Sequence, residues 1–150
     1  METTESKVLN ELIEINNDRI AGFEKAIADI NDENIDLKAL FQRYSAQSRE
    51  NSQELSALVG AEGAAVETGN SVAGTLHRAW IDVKSLFGGS TRESILSEAE
   101  RGEDAIKRAY SDALADIDLT GDARELVGRQ QIGINAAHDE VRALRDIAKS

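Results

Sequence analysis

The sequence contains no cysteine and no proline. The first absence excludes disulfides, thiolate metal sites and thiol catalysis. The second suits a chain made mostly of uninterrupted helix, because proline breaks a helix from within. Aromatic residues make up only 4%, with one Trp, and there are just two His. A His-based triad would have to draw on those two, and neither has supporting context. Basic residues are scarce as well: 17 Lys and Arg stand against 28 Asp and Glu, for a formal net charge of -11. That field repels a phosphate backbone, so no nucleic acid partner is expected, and an anionic membrane surface is disfavoured for the same reason. No apolar run approaches the roughly 20 residues of a membrane span. Met1 to Asn10 is polar and acidic, unlike a signal peptide. A cytoplasmic location is the resulting expectation. Gly88 and Gly89 lack the strand and further glycines of a phosphate-binding loop, and no G-x-S-x-G elbow is present.

What is present is helical periodicity over a length that suggests one domain, residues 1–150. The spacing predicts a first helix over about 4–30, with Leu9, Ile13, Ile20, Phe23, Ile27 and Ile30 in its seam and Asn16 filling the gap after Ile13. Thr3 or Thr4 can cap it. A second helix is predicted over about 35–59, with Leu37, Phe41, Tyr44, Ser48, Asn51, Leu55 and Leu58 inward and Leu40, Gln47 and Glu54 beside them. A small, polar stretch follows, then a short helix over about 71–87. Ser90 and Glu93 form a capping box that opens a third helix over about 91–117. Its seam reads Leu96, Ala99, Glu103, Ile106, Tyr110, Ala113 and Ile117. The fourth helix covers about 122–148, with Val127, Gln130, Ile134, Ala137, Val141, Leu144 and Ala148 inward. Two long helices, a crossover of about thirty residues and two more long helices describe an all-α antiparallel four-helix bundle with a short extra helix in the helix 2–3 crossover, the layout of ferritin-like folds.

Each long helix carries a polar residue in its seam: Asn16, Asn51, Glu103 and Gln130. Glu54 lies near Asn51 on the same face. A buried polar group left unpaired costs roughly 1–3 kcal/mol. These residues therefore either face one another as a hydrogen-bonded layer that fixes helix register, or bind something. The fourth helix admits two phases. One puts Gln130 and Ile134 inside; the other brings in Asn135 and His138, which have Glu-x-x-His spacing with Asn in place of Glu. In the crossover, His77 is expected to pack or cap, and Trp80 to dock that helix on the bundle.

Several stretches carry a family resemblance. Ferritin-like di-iron proteins place one Glu on each of two helices and a Glu-x-x-His pair on each of the other two. Asn16 with Phe23, and more closely Glu103 with Tyr110, resembles their Glu with an aromatic seven residues on. Gly102 to Tyr110 (GEDAIKRAY) is similar to the third helix of rubrerythrins, and Gln47 to Glu54 (QSRENSQE) to the second helix of ferritins. Over nearly the whole chain, VLNELIEINND (Val8 to Asp18), AGFEKA (Ala21 to Ala26), SVAGTLHRAWIDVKS (Ser71 to Ser85), ILSEAERGEDAIKRAY (Ile95 to Tyr110) and AAHDEVRALRD (Ala136 to Asp146) resemble a bacterial ferritin-like four-helix-bundle family of unknown function. The resemblance implies the fold and a depleted metal position, since neutral amides stand where carboxylates would be. The first expectation is thus a non-enzymatic bundle with no cofactor, acting through protein contacts as a homo-oligomer, a dimer above all, in a stress-related setting. The alternative is a metal-binding or redox protein holding iron, manganese or zinc through Glu54, Glu103 and His138. Tyr110 would stand behind them, and Asn16, Asn51, Gln130 and Asn135 would form the polar layer.

Overall fold

A computed structural model describes residues 3–66 and 91–149. Among them are four α-helices, one 3-10 turn and no strand. Helix α1 spans Thr4–Asp29, α2 Ile35–Ala61, α3 Arg92–Ala115 and α4 Gly121–Lys149. The predicted crossover helix over 71–87, with His77 and Trp80, lies outside the described residues. No described helix is long and apolar enough to cross a membrane.

The ends of the helices follow local chemistry. Thr3 caps α1 through a reciprocal box: its Oγ1 accepts from the Ser6 amide at 3.0 Å and the Ser6 Oγ accepts from the Thr3 amide at 2.8 Å. The cap of α3 is Thr91, whose Oγ1 accepts from the Ser94 amide at 3.2 Å. The capping frame is thus one residue later than the Ser90–Glu93 box predicts, because the adjacent Thr offers an equally good acceptor. The predicted seam of α3 also runs too far. The helix ends at Ala115 and Asp116 takes an extended conformation. Ile117 is consequently turned out, 87% exposed, and Leu119 takes the inward position, fully buried.

Hydrogen bonds across the bundle fix the directions of the helices. Partners run in opposite sequence order between α1 and α2 (Asn16 with Asn51, Arg19 with Ser48) and between α1 and α3 (Asn16 with Tyr110, Arg19 with Glu103). The same holds between α2 and α4 (Glu54 with Gln130, Tyr44 with Glu140) and between α3 and α4 (Tyr110 with Gln130, Asp104 with His138). Both α2 and α3 therefore run antiparallel to α1 and to α4, and parallel to each other. Arg92 locks this arrangement by clasping Asp36 at 3.0 and 2.7 Å and the Asn34 carbonyl oxygen Oδ1 at 3.1 Å, which sets the start of α3 beside the start of α2. That clasp holds the Asp36 carboxyl below its ordinary range. The 27 residues of α2 rise about 40 Å, so its end at Ala61 stands about that far from the start of α3 at Arg92.

Candidate functional site

The middle of the bundle is a stack of three unlike layers. The first is aromatic: Phe23 of α1 packs against Phe41 and Tyr44 of α2, with ring centroids 4.9 and 5.6 Å away. Phe23 and Phe41 are fully buried.

The second layer is an ion pair. Arg19 and Glu103 are both 0% exposed. The Arg19 Nε donates to Glu103 Oε1 at 2.7 Å and Nη2 to Oε2 at 2.8 Å, a fork that occupies both carboxylate oxygens. Its Nη1 donates to Gln47 Oε1 at 2.7 Å, Ser48 Oγ at 3.0 Å and the Tyr44 carbonyl at 3.3 Å. The guanidinium carbon also lies 5.4 Å from the centre of the Phe23 ring and 5.3 Å from that of Tyr44, within reach of both π faces. Gln47 reaches inward across Gly133 of α4. A Cβ added at Gly133 would come within 2.7 Å of the Gln47 Nε2, so glycine keeps the path of that amide open. Outside Gln47 the surface dips into a groove of about 380 Å³ between α2 and α4, lined by Arg43, Tyr44, Gly133 and Glu140.

The third layer is built of neutral side chains from all four helices, with the Glu54 carboxylate at its edge. Asn16 Nδ2 donates to the Leu12 carbonyl at 2.8 Å and to the Tyr110 hydroxyl at 2.9 Å. Tyr110 donates in turn to Gln130 Oε1 at 2.7 Å. Asn51 Nδ2 donates to Asn16 Oδ1 at 3.3 Å, and Gln130 Nε2 to the Asn51 carbonyl at 3.3 Å and Glu54 Oε1 at 3.2 Å. Burial raises the pKa of the Tyr110 phenol. Burial, and then the hydrogen bond to Glu140, does the same to Tyr44. Both phenols therefore remain donors at neutral pH. Removing the Tyr110 hydroxyl as Tyr110→Phe leaves Asn16 and Gln130 each short of a buried partner. It is expected to cost about 1–3 kcal/mol, read as a lower urea midpoint with unchanged slope.

The structure thus brings Asn16, Asn51, Tyr110 and Gln130 into one network. Asn135 is not in it: the side chain is half-buried and its Oδ1 has no hydrogen-bond partner. The inward phase of α4 is the Gln130–Ile134 one, and the buried stripe is wide enough to take in His138 too. His138 lies apart from Glu54 and Glu103, however. Its Nε2 is 2.5 Å from Asp104 Oδ1 and its Nδ1 3.1 Å from Asp139 Oδ1, and that hydrogen bond lowers the Asp139 pKa.

The metal position that the resemblance implies can be tested on these contacts. Both oxygens of Glu103 are held by Arg19, while those of Glu54 face Gln130 and Arg129. Glu54, Glu103 and His138 do not converge. No group of three or more His, Asp or Glu among the described residues is placed to hold a metal ion. Among the described residues, the side chains at this position do not fit a di-metal centre.

Arg19 is the residue that the seam pattern misses. From Asn16 onward the buried face runs Arg19, Phe23, Ala26 and Ile30, whereas Ile20 and Ile27 are only partly buried. Steps of three and four fit both readings. Hydrophobicity alone selects Ile20, because a single charge in a core is costly unless paired. Its partner, Glu103, lies 84 residues away.

The family model described as a domain of unknown function (DUF2383) matches residues 4–116, which take in α1, α2 and α3. No curated protein matches the chain.

Proposed function

The chain belongs to the DUF2383 family, and we propose that it is a non-enzymatic bundle of the ferritin-like kind that works through protein–protein contacts, first of all between copies of itself. The observation that carries this reading is the state of the core. The carboxylate best placed for chemistry, Glu103, is fully buried and saturated by Arg19. The neighbouring polar groups of α1 to α4 spend their hydrogen bonds on one another. Such a core sets helix register and leaves the outer surface to do the work.

The contact between copies is assigned to the outer face of α4. Ile132 and Ile147 are 72% and 69% exposed. With the exposed Ala136 and Ala143 they fall within a stripe about 60° wide on a helix of 3.6 residues per turn. The net charge of -11 keeps the protein off nucleic acid and anionic membranes and suits a cytoplasmic protein. Light scattering over a range of concentrations tests the reading. A mass near twice the 16.3 kDa of the chain is expected, falling to the single-chain value in Ile132→Glu. A single-chain mass for the wild type at every concentration would overturn the self-association.

A further inference from the structure

The guanidinium of Arg19 sits in a chamber that is complete without the rest of its side chain. Five acceptor atoms face its three nitrogens: the two Glu103 oxygens, Gln47 Oε1, Ser48 Oγ and the Tyr44 carbonyl. The Phe23 and Tyr44 rings lie 5.4 and 5.3 Å from its carbon. The acceptors come from α2 and α3, whereas Arg19 comes from α1. The acceptors and the Tyr44 ring therefore belong to helices other than that of the occupant, with only the Phe23 ring supplied by α1 itself, so shortening Arg19 removes none of the acceptors.

We propose that the centre of this bundle is a binding site for one planar organic cation, that Arg19 is its tethered occupant, and that the site takes a free alkylguanidinium ion once that side chain is cut back. The chemistry selects this class. A guanidinium is flat and weakly hydrated, and it presents paired donors that match a carboxylate as a fork. The chamber supplies one carboxylate, neutral acceptors in a row along α2 and π faces, which suits a single delocalised charge. A divalent metal needs several anionic or imidazole ligands, and here only Glu103 would bear charge. An ammonium could use the carboxylate but not the fork.

The site is independent of the contact proposed between copies, so a failure in mass measurements and a failure here are separate results. The test uses the full-length Arg19→Ala variant. The atoms it loses correspond to ethylguanidinium. Thermal unfolding is followed with increasing ethylguanidinium chloride, and with NaCl, MnCl2 or ZnCl2 at matched ionic strength. A saturating rise of several degrees is expected with ethylguanidinium in Arg19→Ala, because a ligand that binds only the folded state raises its melting temperature. No such rise is expected in the wild type, whose chamber is filled, or in Arg19→Ala/Glu103→Gln, which lacks the carboxylate. No rise in Arg19→Ala, or one matched by NaCl or by either metal, would overturn the proposal. If Arg19→Ala folds only poorly, helical circular dichroism after refolding with and without ethylguanidinium replaces the melt and is read in the same way. Arg19→Lys and Arg19→Met add a second reading. A cation site requires the lysine variant to melt above the methionine variant, and the reverse order would overturn it.

Discussion

Arg19→Met is expected to destabilise the protein by about 3–5 kcal/mol, the loss that follows when one partner of a buried ion pair is removed. The substitution keeps most of the side-chain volume and its contact with Phe23 but leaves the Glu103 carboxylate in a fully buried position without its fork. Gln47 Oε1 and Ser48 Oγ lose a donor at the same time. For a domain of this size the loss is a fall in melting temperature of about 10 °C. Adding Glu103→Gln removes the stranded charge, so the double variant is expected to recover a large part of the loss. Groups in direct contact show such coupling, and a cycle of the two single variants and the double variant in urea measures it. An Arg19→Met protein within about 1 kcal/mol of the wild type would mean that the pair contributes little to holding α1 against α3.

The second large effect is Phe23→Ala, for which about 3–5 kcal/mol is expected. Phe23 is completely buried. It touches Phe41 and Tyr44 across the α1–α2 boundary and presents its face to the Arg19 guanidinium. Truncation opens a cavity in the layer next to the ion pair and removes one of the two rings that substitute for water around the cation. Phe23→Leu refills much of the space without the π face, so the difference between Leu and Phe isolates the ring's part in supporting the guanidinium. A urea midpoint for Phe23→Ala close to that of the wild type would show that the layers are not mechanically linked.

The extent of the helices was legible because it rests on local signals. The Thr3 cap and the Asn31 to Asn34 turn are short-range features, whereas the predicted end of α3 falls about two residues late. The predicted ends accordingly fall within about two residues of the observed ones, in keeping with the uncertainty of any helix terminus. The inward face of α2 was legible too, since Leu37, Phe41, Tyr44, Ser48, Asn51 and Leu55 repeat at steps of four and three, whereas α4 admitted two phases and only its packing selected the one through Gln130 and Ile134. Reading α1 was harder after Asn16. Two seams, one through Ile20 and one through Arg19, are equally regular there, and only the position of Glu103 in space decides between them.

The sequence by itself determined an all-α chain of four long amphipathic helices, the length of the crossover, the places where polar residues enter the seams, and the lack of thiol, proline and basic-surface chemistry. These follow from composition and from the 3.6-residue period, which are properties of neighbours along the chain. Only the tertiary structure decided how the polar residues are spent. It set Asn16, Asn51, Tyr110 and Gln130 into one layer and left Asn135 out. It put His138 beside Asp104 instead of Glu54 and Glu103. It also placed a guanidinium against Glu103. The physical reason is that burying a charge is unfavourable or tolerable according to what stands opposite it, and what stands opposite belongs to another helix.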